Sequence, residues 1–163
     1  MRPAWPNRII FVLALAGIGV SGYLTLAHFK AVELGCSRLR GCDDVARHWS
    51  AKGFGIPGLE AIPTAAFGAL GYATLFVLAF LRAATESSEK DRRIAGLQWA
   101  LSAIAFGVTV WLTYMEAYVI RAWCQWCLVS ALISVLIFLT ATAERLIGTA
   151  PPGPNIETQG EPV

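Results

Sequence analysis

The sequence predicts an all-α membrane protein, a bundle of four transmembrane helices with one long connection between the first and the second. Composition points there first. Hydrophobic residues make up 56% of the 163-residue chain and charged ones 15%, against about 45–50% and about 25% in a soluble domain. Mean hydropathy is +0.56. The apolar excess is gathered into four runs, each near the ~20 residues that carry a helix across a ~30 Å hydrocarbon core. The polar residues collect between the runs.

The first run covers residues 9–29 and follows Arg2 and Arg8, as a signal peptide would. It exceeds the ~7–15 apolar residues of such a segment, and no small-residue cleavage pattern precedes Cys36, so it reads as a retained span. The connection 30–61 is long and holds Cys36 and Cys42. Its Trp49, Phe54, Ile56 and Leu59 make it unusually apolar, as in an interfacial anchor or a lid. Asp43 and Asp44 suggest N-caps for a short helical segment reaching Trp49.

The second run, 62–81, leads into a polar connection of mixed charge, 82–93. The third run is 94–120, the third connection only 121–125, and the fourth run 126–146. From Thr149 the chain is rich in Pro and Gly (TAPPGPNIETQGEPV), which suits a disordered tail. A membrane domain over 1–148 and a tail over 149–163 follow. Net charge is +2 with a pI near 8.4, too mild to point to nucleic acid.

Parity places the first and third connections on one side of the membrane and the termini on the other. All four cysteines then face one side. Lysines and arginines divide almost evenly, so the positive-inside bias is weak. Stable thiol oxidation favours an extracytoplasmic location for the cysteines, with both termini in the cytoplasm.

Cys124-Gln125-Trp126-Cys127 opens the fourth run. A C-x-x-C at a helix N-terminus closes a disulfide across one turn, and the helix dipole stabilises a thiolate there. Cys36 and Cys42 flank five residues with a glycine (Gly41), enough to fold back to disulfide distance. Two pairs on one face permit a relay by thiol exchange. The same four sulfurs can also hold zinc, although zinc sites usually show two short knuckles and one spacing here is wide.

Several blocks are similar to the bacterial branch of the vitamin K epoxide reductase family. They are Ser21-Gly22-Tyr23-Leu24-Thr25, Gly41-Cys42-Asp43-Asp44-Val45, Phe54-Gly55-Ile56-Pro57, and the stretch from Tyr114 through Cys124-Gln125-Trp126-Cys127 to Ala131. The resemblance implies a four-helix bundle around a quinone (ubiquinone or menaquinone) in the bacterial inner membrane, with the cysteines toward the periplasm or exterior. It implies electron entry at the loop pair from a thioredoxin-like partner, a separate protein since this chain carries no such domain. By position, Cys36 meets the partner, Cys42 exchanges with Cys124, and Cys127 acts on the quinone.

The sequence departs from the family in places. Where many relatives have Ser or Thr near the quinone, this chain has His48, with Ser50 close by. Residues 58–63 resemble an insertion, leaving open whether Pro57 or Pro63 starts the second helix. Ala131 stands where vertebrate members have Tyr, which argues against vitamin K epoxide as substrate. Glu116, costly inside a span, and Trp126 are further candidates for quinone contact. His28 suits a lipid headgroup contact. Cys124, preceding its helix, is expected to be the more accessible of its pair, with Cys127 about one turn deeper. Rival readings are a metal-binding or metal-delivery membrane protein and a structural subunit with incidental cysteines.

Overall fold

Backbone polar groups cannot be left bare in hydrocarbon, and a helix satisfies nearly all of them within one segment. The computed structural model describes residues 5–30, 36, 41–85 and 88–149, and each apolar run there is helical. Helix α1 is Trp5–Lys30, α2 the short Cys42–Arg47, α3 Thr64–Ala83, α4 Ser88–Tyr114 and α5 Gln125–Thr149. Helix α4 continues as one π-helical turn, Met115–Ile120. Four of these helical stretches are long and apolar enough to cross a membrane. The expected tail lies outside the described residues except Thr149, which ends α5.

The long connection holds two 3-10 turns, Trp49–Ala51 and Gly53–Gly55. Pro63, extended at φ −65° and ψ 141°, caps α3, so the second of the two prolines starts that helix. Asp43 and Asp44 lie in the first turn of α2, whereas Gly41 holds the cap position without a side-chain bond. They therefore act on the helix dipole and not as caps. The segment also breaks at Arg47, before Trp49.

Helix α1 packs against α3 and α5, and α4 packs against the same two, which closes the bundle. The core lies toward the end that holds the termini, around Ile10, Ala14, Leu75, Ala79, Ile133 and Ile137. Gly17 admits the Tyr72 ring, since a Cβ there would lie 2.5 Å from it. The outward faces stay apolar, with Val12, Leu70, Ile104, Leu132 and Leu146 all more than half exposed. Lipid contact accounts for such continuous exposed apolar surface.

One polar cluster ties three spans near the termini. Arg82 of α3 donates to both carboxylate oxygens of Glu144 on α5, at 2.5 and 3.0 Å, and to Asp91 at 2.9 Å and Gln98 at 2.9 Å on α4. Arg82 and Glu144 are buried. Nearby, Arg145 lies over the Trp99 ring, 4.4 Å from its centre, and Trp99 donates to Thr142 at 3.2 Å. Asn7 joins α1 to the carbonyl of Ala79 at 2.9 Å. Buried polar side chains in spans are tolerated when they satisfy one another.

Removing one partner of a buried pair strands the other's charge, at a cost of about 3–5 kcal/mol. Arg82→Met should therefore lower the unfolding midpoint in detergent markedly. Arg82→Met/Glu144→Gln should recover part of that loss, because the stranded carboxylate is gone. A double variant less stable than the single one would count against this account of the cluster.

Candidate active site

The site is assembled where α4 ends and α5 begins. The π turn carries Glu116, and Arg121 then takes a left-handed conformation (φ 55°, ψ 34°) that reverses the chain. The Ala122 N–H donates to the Glu116 carbonyl at 3.2 Å, closing this corner. Helix α5 starts at Gln125, so Cys124 stands at its cap position. The Cys127 N–H donates to the Cys124 sulfur at 3.4 Å, as a capping side chain accepts from the third helical residue. The Cys124 N–H donates to Glu116 Oε2 at 3.2 Å.

These contacts favour a thiolate at Cys124. A hydrogen bond from the Cys127 thiol holds Cys124 below the ordinary thiol pKa, opposed by burial and helped by backbone N–H groups of Cys127 and Trp126. A sulfur anion at a helix N-terminus gains from the free N–H groups and the dipole.

The loop pair comes to the same place. Cys36 and Cys42 form a disulfide with Cα atoms 6.4 Å apart. Cys42, Val45 and Cys124 are buried as one cluster, with Cys36 and Cys127 packed against it. Gly41 makes the approach possible. A Cβ at that position would lie 2.7 Å from the Trp123 nitrogen, 2.8 Å from the Ala122 Cβ and 3.0 Å from the Trp123 oxygen.

A cavity of about 560 Å³ opens beside this cluster, lined by all four spans and the long connection. Its volume falls within the ~300–1,000 Å³ of small-molecule sites. The walls include Leu24, Phe67, Val108 and Leu112, and Ala131 leaves room where a larger residue would intrude. Tyr72 closes it toward the core and bonds Ser130 and Ser134, at 2.8 Å to each of the Ser130 carbonyl and the Ser134 hydroxyl. Phe54 covers it from the loop, with its ring 5.5 Å from Phe67 and 6.1 Å from Trp111. Thr64 fastens that loop to α3 by donating to the Ser50 carbonyl at 2.7 Å and accepting from the Phe54 N–H at 3.2 Å.

The structure brings Cys36, Cys42, Cys124, Cys127, Glu116 and Ser50 to this end of the bundle. Ser50 is buried and lines the cavity. His48 lies behind it, with Nδ1 2.8 Å from the Ser50 hydroxyl, and is not part of the lining. Trp126 is not in the lining either; its ring packs 4.9 Å from that of Tyr23. Trp49, Ile56 and Leu59 also stay outside it, while His28 lines it.

The expected accessibility of the C-x-x-C is reversed. Cys124 is 1% exposed because α2 covers it, and Cys127 is the partly exposed thiol. The sequence could not foresee this, because the cover comes from residues some eighty positions away. The bonds of Glu116 to the C-x-x-C were likewise missed; its carboxylate inside a span was the available signal.

Among known proteins, a family-wide sequence profile, that of the vitamin K epoxide reductase family, matches residues 8–142. No curated protein matches the chain.

Gly41→Ala should force the loop away from Trp123 at a cost of about 1–3 kcal/mol. In the Cys36→Ala/Cys127→Ala background, this should slow formation of a Cys42–Cys124 disulfide by about tenfold, read on non-reducing gels. An unchanged rate would remove the close approach as a requirement. Cys124 should also react with a small alkylating agent at a half-maximal pH below that of a free thiol, ~8.5. Cys127→Ala should move that midpoint upward, since the hydrogen bond that favours the thiolate is lost. Peptide mass spectrometry across a pH series reads both, and a downward move would contradict the assigned cause.

Proposed function

The chain belongs to the vitamin K epoxide reductase family, and from that premise we propose that it oxidises the dithiol of a thioredoxin-like protein and passes the electrons to a quinone. The net reaction is partner dithiol plus quinone giving partner disulfide plus quinol. Two electrons and two protons move in each turnover, so no further reductant is needed. In a bacterial inner membrane, with the cysteines outside and both termini in the cytoplasm, this would support disulfide formation in exported proteins.

The observation that carries this reading is the burial of Cys42 against Cys124, with Cys127 opening on a roomy apolar cavity. A partner thiolate attacks the Cys36–Cys42 disulfide at Cys36, and Cys42 leaves as a thiolate. The second partner thiol displaces Cys36. The reduced Cys42 then attacks Cys124 of an oxidised C-x-x-C, releasing Cys127. Cys36 resolves the Cys42–Cys124 link, which restores the loop disulfide and leaves Cys124 and Cys127 reduced. The quinone reoxidises that pair.

Ser50 is the hydroxyl suited to meet a quinone oxygen, with His48 as the group that orients it. A hydroxyl aimed at an oxygen that gains charge stabilises that change. The metal-binding alternative needs four thiolates, two of which are joined here as a disulfide.

Purified protein supplied with a reduced thioredoxin-like protein should reduce quinone, followed by the change in quinone absorbance. Cys127→Ala should abolish that turnover while partner oxidation by the loop disulfide persists for a single turnover. Activity of the variant within about tenfold of wild type would take Cys127 out of the mechanism. A stoichiometric metal in the purified protein, with all four thiols inaccessible, would favour the metal-binding reading instead.

A further inference from the structure

Reoxidation of the C-x-x-C requires a proton path as well as an electron path. With Cys124 held as a thiolate, the thiol proton of Cys127 must leave as the Cys124–Cys127 bond forms, and the quinone must gain two protons to become quinol. This happens beside an apolar cavity, where bulk water is a poor acceptor. One ionisable side chain meets both requirements of position. Glu116 is 4% exposed and lines the cavity. Its Oε2 accepts from the Cys124 N–H at 3.2 Å. The Cys127 thiol lines the same cavity and interacts with the same carboxyl group.

We propose that Glu116 is a catalytic proton carrier for the quinone step, taking the thiol proton of Cys127 and delivering it to the quinone. The inference rests on the proposed quinone chemistry and adds the residue that moves its proton. As the Cys127 proton passes to the carboxylate, the sulfur's electron pair becomes free to react. When the disulfide closes, two electrons have passed to the quinone, and the carboxylic acid returns its proton to a quinone oxygen. Cys124 reacts as the thiolate, its proton already lost, and the second quinone proton comes from solvent. Glu116 begins and ends each turnover as a carboxylate, so protons and electrons balance.

Geometry argues against a purely structural role. A buried carboxylate in a span usually pairs with a cation. Among the described residues, no lysine, arginine or histidine forms an ion pair with Glu116. The ionisable groups that face it are the two thiols of the C-x-x-C. Asp43 and Arg47 of α2, His28 of α1 and Lys52 of the loop line the same cavity without a hydrogen bond to it. A carboxylate that only fixed the Cys124 N–H would need one oxygen and no titration.

Glu116→Gln keeps the shape and an oxygen for the Cys124 N–H but cannot carry a proton. It should slow quinone reduction near neutral pH by about a hundredfold, in the range of lost acid–base catalysis. Partner oxidation by the loop disulfide should stay within about twofold. The remaining quinone activity should climb with pH, as solvent base replaces the carboxylate. Glu116→Asp keeps a titrating group and should restore part of the rate, which covers the case in which the glutamine variant does not fold.

A second readout needs no quinone. Infrared difference spectra between the dithiol and disulfide forms, prepared chemically, should contain a carboxylate band of Glu116, displaced as the Cys127 S–H beside it is lost, that shifts in Glu116→Asp and vanishes in Glu116→Gln. Quinone turnover of Glu116→Gln within about twofold of wild type at all pH values would overturn the proposal. So would a wild-type difference spectrum free of any carboxyl change. Failure of the wild type itself to reduce quinone would instead remove the proposed function, and the spectra would still report on Glu116.

Discussion

The close approach of Gly41 to the backbone of Ala122 and Trp123 is the contact on which the rest of the site depends. The proposed sulfur exchange needs one sulfur to reach another nearly in line with the bond it breaks, and this contact seats the loop directly on the C-x-x-C. A single Cβ would intrude to 2.7 Å. Gly41 has φ −88°, a value open to any residue, so its task is steric and not conformational. With the loop seated, Cys42 and Val45 seal Cys124 from solvent. That seal leaves Cys127 as the partly exposed thiol of the C-x-x-C, while Cys42, Cys124 and Cys127 all reach the cavity wall.

The spans were legible in the sequence because membrane burial demands a length and an apolar character that few other structures require. The convergence of the cysteine pairs was legible for a related reason, since an even number of spans returns the first and third connections to one side. What escaped depends on contacts between distant residues. Cys124 looks exposed in a linear reading because it precedes its helix, yet α2 covers it. Glu116 and Arg82 each announce themselves as charges in or near apolar runs, but their partners at positions 124, 91 and 144 follow from the packing alone. Trp126 had to face either the cavity or another helix, and its neighbour Tyr23 lies on α1, a hundred residues earlier.

The two ends of the bundle use buried polar groups in opposite ways. Toward the termini, Arg82 is saturated by Glu144, Asp91 and Gln98, and that cluster ties α3, α4 and α5 together. Toward the cysteines, the polar groups are spaced around a cavity. Ser50 and Glu116 reach its wall, while Tyr72 is committed to Ser130 and Ser134. A firm clamp at one end lets the other keep open space, which close packing would otherwise fill.

The same division explains why the irregular backbone lies where it does. Non-helical backbone at membrane depth is tolerated only where protein or a cavity covers it. The π turn and the left-handed Arg121 interrupt the regular helix only at the end of the third span, where the chain must turn within a few residues into α5. A regular α-helical ladder through this point would leave no free N–H at Cys124 for Glu116 and no helix start for the thiol to cap. The interruption supplies both. It turns a simple reversal between two spans into a site where a thiolate, its hydrogen-bond donors and a carboxylate stand within bonding distance of one another.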